Sequence, residues 1–296
     1  MTPAQPVRLG LTLPSFQADP DRVLAVARAA EEAGVDGVFA FDHLFRRRGD
    51  PSGGERRPAL ELTTTLAAVA AETSRVTVGT LVARATLRPP ATLRAALDTL
   101  ARIAPGRLVA GVGGGDEESA EEDHAFGIDV DDRMARLSDV LDVICGRGYP
   151  VWVGGASPAV ARLAAARSDG WNLWGGGVDR FSRRTREVRH EVEAAGRDPG
   201  SFTFSWGGLA VVAPTRGEAE AKRARLGGDR PGLVCGDPAD VAEAAAAYGA
   251  AGAAWVVLGP IDSSDPDNAH VVGEAARILA GIRSRPDNGA EEKAHE

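Results

Sequence analysis

Short, almost continuously apolar runs alternate with longer amphipathic, alanine-rich stretches from one end of the chain to the other. The first run, VRLGLTL (7–13), predicts a strand buried on both faces. The stretch DPDRVLAVARAAEEAG then predicts a helix, with Asp19 as its N-cap, Pro20 in its first turn and Gly34 as its C-cap. The alternation continues with strand GVFAF, helix PALELTTTLAAVAAETS, strand RVTVGTLV, helix PPATLRAALDTLARIAPG and strand RLVAGVG. A polar segment, 113–132, leads to helix RMARLSDVLDVIC, strand VWVGG, helix SPAVARLAAARS and the short strand WNLWG. Helix DRFSRRTREVRHEVEAAG and strand FTFSWGGLAVVA follow. Helical stretches at 215–226 and DPADVAEAAAAYGAAG precede the last strand, AAWVVLG, and NAHVVGEAARILAGIRS closes the chain's ordered part.

About eight strand–helix units of this kind predict a parallel sheet covered by helices and closed into an α/β (β/α)8 TIM barrel. A single domain over 1–284 is expected, with a polar, fraying tail at 285–296. The arginine-rich stretch LFRRRGDPSGGERR, punctuated by glycine, reads as a mobile loop.

Composition narrows the classes. The chain has 296 residues, 44% of them hydrophobic but only 5% aromatic, so alanine, valine and leucine are expected to supply the packing. Its net charge of −8 repels phosphate backbones and argues against nucleic acid as a partner. No uncharged apolar run approaches the roughly 20 residues of a membrane helix, and the N-terminus lacks the pattern of a signal peptide. Cys145 and Cys235 stand alone, which suggests neither a disulfide framework nor a zinc site and fits a reducing, cytoplasmic setting. The histidines show no ligand spacing with carboxylates, so no metal is expected.

In such barrels the active site lies at the carboxyl ends of the strands. Asp42-His43 follows the second strand, where a histidine can titrate near neutrality and exchange a proton with a substrate. The same histidine could instead merely hydrogen-bond a loop. Ala83-Arg84 follows the third strand, and Gly113-Gly114-Gly115-Asp116 the fourth. Asp116 reads equally as a catalytic acid or as the cap of a short acidic helix. Gly154-Gly155-Ala156 stands at a helix start with Ser157 as its cap, an arrangement suited to an anion. Gly175-Gly176-Gly177 adds a second glycine turn after the next strand. Of Trp171, Trp174 and Trp206, the last is the best candidate for a pocket wall.

These stretches carry a resemblance. AEEAGVDGVFAFDHL, ALELTTTLAAVAAETSRVTVGTLV, RPPATLRAALDTLARIAPGRLVAGVGGG, VWVGGASPAVARLAAARSDGWN and GDPADVAEAAAAYGAAG resemble, in order, the bacterial luciferase-like flavin and deazaflavin oxidoreductases. The branch most similar uses coenzyme F420, a deazaflavin. The resemblance implies a TIM barrel in which His43 is the active-site acid/base and Asp42 lies beside the cofactor. It places a cis non-proline peptide at Leu81–Val82, after Thr80, against the cofactor ring. It assigns the cofactor phosphate to the turns at Gly154, Gly155 and Ala156 and at Gly175 and Gly176, with Gly113 nearby.

The implied activity is hydride transfer between the deazaflavin and a small alcohol or carbonyl compound, imine or activated alkene. The alternatives are an FMN-dependent monooxygenase using oxygen with a partner flavin reductase, and a non-catalytic flavin-binding relative. Homodimers are common in the family. Two departures stand out. Asp116 occupies the place of a frequent glutamate after GxGxG. Only GRGYP separates RLSDVLDVIC from VWVGG, where the family has a longer insertion, so part of the substrate wall is expected to be missing or rebuilt.

Overall fold

The computed structural model describes residues 7–16, 19–47, 56–115, 119–128, 130–226 and 230–283. The chain runs β1 (Arg8–Thr12), α1 (Pro20–Ala33), β2 (Gly37–Ala40), β3 (Phe45–Arg47), β4 (Arg56–Pro58), α2 (Leu62–Glu72) and β5 (Thr77–Arg84). It continues α3 (Pro90–Ile103), β6 (Leu108–Gly113), α4 (Ala120–Phe126), α5 (Arg133–Ile144), β7 (Val151–Gly154), α6 (Pro158–Arg167) and β8 (Gly170–Trp174). The last part is α7 (Val178–Ala194), β9 (Thr203–Val212), α8 (Arg216–Leu226), β10 (Val234–Gly236), α9 (Pro238–Ala250), β11 (Trp255–Pro260) and α10 (Asp267–Arg283).

The parallel strands β1, β2, β5, β6, β7, β8, β9 and β11 pair in that order, and β11 returns to β1. This closes the eight-stranded barrel that the alternation predicts. Capping chemistry fixes its helices as expected. Asp19 accepts from the Asp21 amide at 3.0 Å, and Gly34 ends α1 at φ 83°. Ser157 accepts from the Val160 amide at the start of α6.

Few aromatics do not mean an aliphatic interior. Phe39, Trp152 and Trp255 meet inside the barrel with ring centroids 5.5–6.0 Å apart. Glycines on neighbouring strands leave room for them: a Cβ on Gly10 or Gly79 would lie 2.7 or 2.4 Å from the Phe39 ring. Alanine, valine and leucine dominate the larger layer between strands and helices.

Three short strands lie beyond the expected elements, and the short acidic helix buries charge. The arginine-rich loop contains an antiparallel pair, β3 with β4, whose Phe45 is buried; residues 48–55 lie outside the described residues. The polar segment holds α4, which buries Glu122 and Asp123, so its inward face carries charge and shows no apolar period. β10 adds to the end of β9, which runs on past Ser205, Trp206 and Gly207 to Val212. The expected tail, 285–296, lies outside the described residues.

Candidate active site

The carboxyl ends of the barrel strands surround a cavity of about 440 Å³. That volume falls in the range of roughly 300–1,000 Å³ usual for small-molecule and cofactor sites. His43, Asp42, Leu81, Val82, Gly113, Gly154, Gly155 and Ala156 all border it, as the sequence suggests. The Leu81–Val82 bond is cis. Beside it the β5–β6 register shifts between Thr80 and Ala83, and Val82 lies against the backbones of Gly113 and Gly154. A Cβ on either glycine would come within 2.7–2.8 Å of Val82.

His43 is the centre of the polar side of the cavity. Its Nδ1 lies 2.5 Å from Glu122 Oε1, and its side chain is 19% exposed against 3% for Glu122. Glu122 Oε2 accepts from the Leu44 amide at 2.7 Å and from Arg84 Nη1 at 3.0 Å. Arg84 also pairs with Asp123, whose other oxygen receives Arg133 Nη2 at 3.2 Å. Glu122 thus enters the barrel mouth as a buried carboxylate balanced by a buried guanidinium, the condition under which such a charge is tolerated. With Nδ1 held, His43 Nε2 has no hydrogen-bond partner among the described residues.

Asp42 is committed elsewhere. It accepts from the Arg84 amide at 2.8 Å and from both terminal nitrogens of Arg88, at 2.6 and 3.0 Å. This fork anchors the end of β2 and so sets where His43 projects. Arg88 also reaches Glu61, which caps α2 by accepting from the Thr64 amide at 2.7 Å. Burial alone would raise the Glu61 carboxyl, but the Thr64 amide and Arg88 outweigh it and bring it down to about 2.

The remaining wall is aromatic and aliphatic. Phe16 lies 5.4 Å from the His43 ring, and Phe41 meets Trp174 edge-on at 5.1 Å. Leu81, Leu173 and Leu209 complete it, and Asn172 lines it while donating to Ser205 at 3.0 Å. Gly155 (φ 145°) carries the chain to the N-terminus of α6, so unpaired amides and the helix dipole favour negative charge there.

Several expectations are corrected. Trp206 is no pocket wall: it is fully buried, stacks on Tyr248 at 4.0 Å and donates to the Gly176 carbonyl at 3.0 Å. Strand parity decides this, because Leu173 pairs with Trp206 while Trp174 pairs with Gly207. The wall is Trp174, 37% exposed, lying over Gly207 and Gly259, where a Cβ would come within 2.6 and 3.0 Å of its ring. Thr80 does not border the cavity; it is fully buried and donates to the Gly111 carbonyl at 2.6 Å. Gly175 and Gly176 form the left-handed turn before α7 and are not among the cavity's residues. Residues 146–150 enter β7 at its amino end, opposite the cavity, so their shortness does not itself open the cavity wall. Asp116 lies outside the described residues, and Ser119 takes the position before α4.

Sequence reasoning missed Glu122, Phe16, Phe41 and Leu209 as site residues. Glu122 sits among neighbouring acids, and only its contact with His43 sets it apart. No group of three or more His, Cys, Asp or Glu side chains among the described residues is placed to hold a metal ion. No helix among them is long and apolar enough to cross a membrane.

The sequence matches the luciferase-like monooxygenase family over residues 4–147 and 146–253. The chain belongs to this family. Its relatives include a Nakamurella multipartita protein named F420-dependent glucose-6-phosphate dehydrogenase, 32% identical over 226 residues, covering 67% of this chain and 65% of that protein. The chain thus spans just under two thirds of that relative's length. A Kineococcus radiotolerans protein of the same name is 29% identical, covering 87% and 92%. Among solved structures, an F420-dependent secondary alcohol dehydrogenase aligns at TM-score 0.76 and 18% identity, covering 92% of this chain and 99% of that one. The monooxygenase RslO1 from Streptomyces bottropensis aligns at 0.70 and 19%, covering 93% and 100%. At these identities the structures share the fold, and the fold serves both kinds of enzyme.

Proposed function

We propose that this family member is a coenzyme F420-dependent oxidoreductase acting on a small alcohol or carbonyl compound, imine or activated alkene. The observation that carries the reading is the His43–Glu122 pair on the cavity's polar side, facing an apolar wall. Hydride transfer to or from carbon at an oxygen or nitrogen centre needs a proton partner at the heteroatom, and a positioned imidazole is suited to that task. The names of the relatives support the same cofactor.

The residues present fit a flat ring. Leu81, Val82 and Trp174 offer apolar surface, and Gly113 and Gly154 have no side chains to obstruct it. The N-terminus of α6, with Gly154, Gly155 and Ala156, would hold the cofactor's phosphate. When bound, a deazaflavin supplies the hydride acceptor or donor. His43 Nε2 takes the proton from a substrate hydroxyl as the alcohol is oxidised and returns it to the carbonyl oxygen in the reverse direction. Glu122 keeps the imidazole oriented through Nδ1, and Leu44 and Arg84 keep Glu122 in place. Asp116, which follows β6, remains a second acid or a loop anchor on this reading.

The competing reading is an FMN-dependent monooxygenase supplied by a reductase, supported by the description of the matched family as luciferase-like monooxygenases. Fluorescence titration of the purified chain with F420 and with FMN separates the two. Tight F420 binding followed by an absorbance change with an alcohol or carbonyl compound is expected. Tight FMN binding without F420 binding would establish the monooxygenase reading instead. A non-catalytic relative would bind a cofactor and turn over nothing, so His43→Ala would change nothing. The homodimer expected from the family is checked by light scattering.

A further inference from the structure

A second cavity, of about 720 Å³, opens over the ends of β1 and β11 and shares Phe16, Phe41, Arg46, Leu209 and Arg230 with the first. Its chemistry differs from the rest of this acidic chain. Arg46, Arg57 and Arg230 border it, and none has an ion-pair partner among the described residues. Its two carboxylates share one ammonium, since Lys222 Nζ lies 2.5 Å from Asp262 and 3.8 Å from Asp265, and they are outnumbered by the bordering arginines. The fourth arginine, Arg22, lies 3.6 Å from Asp19.

The β3–β4 register makes the arrangement costly without an anion. Arg46 stands directly opposite Arg57, and Arg47 opposite Arg56. Like charges facing each other across antiparallel strands destabilise the pair. Arg56 has a carboxylate in reach, Glu121 at 3.6 Å. Arg46 lies 5.5 Å from the Phe16 ring centre, which positions it at the junction of the two cavities without cancelling its charge. An oxyanion between Arg46 and Arg57 would turn repulsion into two charge-assisted hydrogen-bonding contacts.

We propose that the substrate carries a carboxylate or phosphate group, which Arg46, Arg57 and Arg230 hold in this second cavity. The carbon skeleton would then cross the Phe16–Phe41 junction, with its reacting end toward His43. This deepens the oxidoreductase reading and rests on it for the identity of the ligand as substrate; the anion site rests on the arginines alone. The same anionic chemistry could come from the acidic tail of the cofactor, and the test separates the two.

The test is calorimetric titration, at constant ionic strength, of the full chain loaded with oxidised F420, using inorganic phosphate and malate as probes. At least one should bind, and Arg46→Gln and Arg57→Glu should each weaken it about tenfold. Arg102→Gln, at the exposed end of α3 on the opposite rim, should leave it unchanged. Arg57→Glu should also raise thermal stability, since it places opposite charges face to face. Failure of both probes to bind, or equal binding by the clamp variants, would overturn the proposal. So would probe binding that is abolished by loading F420 but kept with a tail-less deazaflavin, which would give the arginines to the cofactor's tail. If no deazaflavin binds, the oxidoreductase reading fails separately, and the same titration of the cofactor-free chain still decides whether the arginines hold an anion.

Discussion

Glu122 Oε1 lies 2.5 Å from His43 Nδ1, although 78 residues separate Glu122 from Leu44, whose amide it also binds. A carboxylate on Nδ1 fixes both the ring's orientation and the nitrogen that is left for the cavity. Glu122→Gln keeps an acceptor for Leu44 and Arg84 but removes the charge. Turnover should fall about 10- to 100-fold, the scale of one charged hydrogen bond. Nitrogen NMR of His43 should show a changed tautomer balance, which a purely structural role for Glu122 would not produce.

Removing the imidazole tests the chemistry more directly. His43→Ala should lower the rate of hydride transfer by about 10²–10⁴-fold. Deazaflavin affinity, measured by fluorescence, should change little, because the apolar wall and the α6 terminus remain. A large loss of affinity with unchanged chemistry would make His43 a cofactor ligand instead.

Arg84 is buried between two acids, Glu122 and Asp123. Arg84→Ala leaves both without their shared cation, and breaking such a buried pair costs about 3–5 kcal/mol. Urea unfolding should register that loss. Arg84→Lys should recover only part of it, since one ammonium cannot reproduce the planar fork.

Glu61 should make stability fall in acid. Its carboxyl is brought down to about 2 from an ordinary value near 4.5. A depressed folded-state value means its contribution is complete above about 4.5 and is lost as pH falls toward 2. The melting temperature of the wild type should therefore drop across that window more steeply than that of Glu61→Gln. Glu61 is substantially exposed, so screening keeps the difference small.

Trp174 owes its place to a missing side chain. Gly207→Ala would set a Cβ 2.6 Å from its ring and push the ring toward the cavity. Cofactor affinity should fall several-fold in a fluorescence titration, with helix content by circular dichroism unchanged.

The barrel was legible because its signals are local. Apolar runs long enough for buried strands, Asp19 and Ser157 as caps and Gly34 at a helix end are each read within a few residues. The placement of His43 and Gly154 at the mouth followed, since parallel barrel strands all point the same way, whereas Leu81 and Val82 were marked by the family resemblance. The inward face of α4 escaped because its buried positions are acidic, and periodicity registers apolar burial. Trp206 was misplaced because the length and pleat of β9 decide which face a residue takes.

What the sequence determined by itself is therefore the order of strands and helices and the rim on which chemistry could occur. Which acid meets His43, which tryptophan walls the cavity and which arginines face one another were decided only by tertiary structure. These depend on contacts between segments far apart in the chain, on strand register and on side-chain parity, and no local pattern of residues encodes the distance between Glu122 and His43.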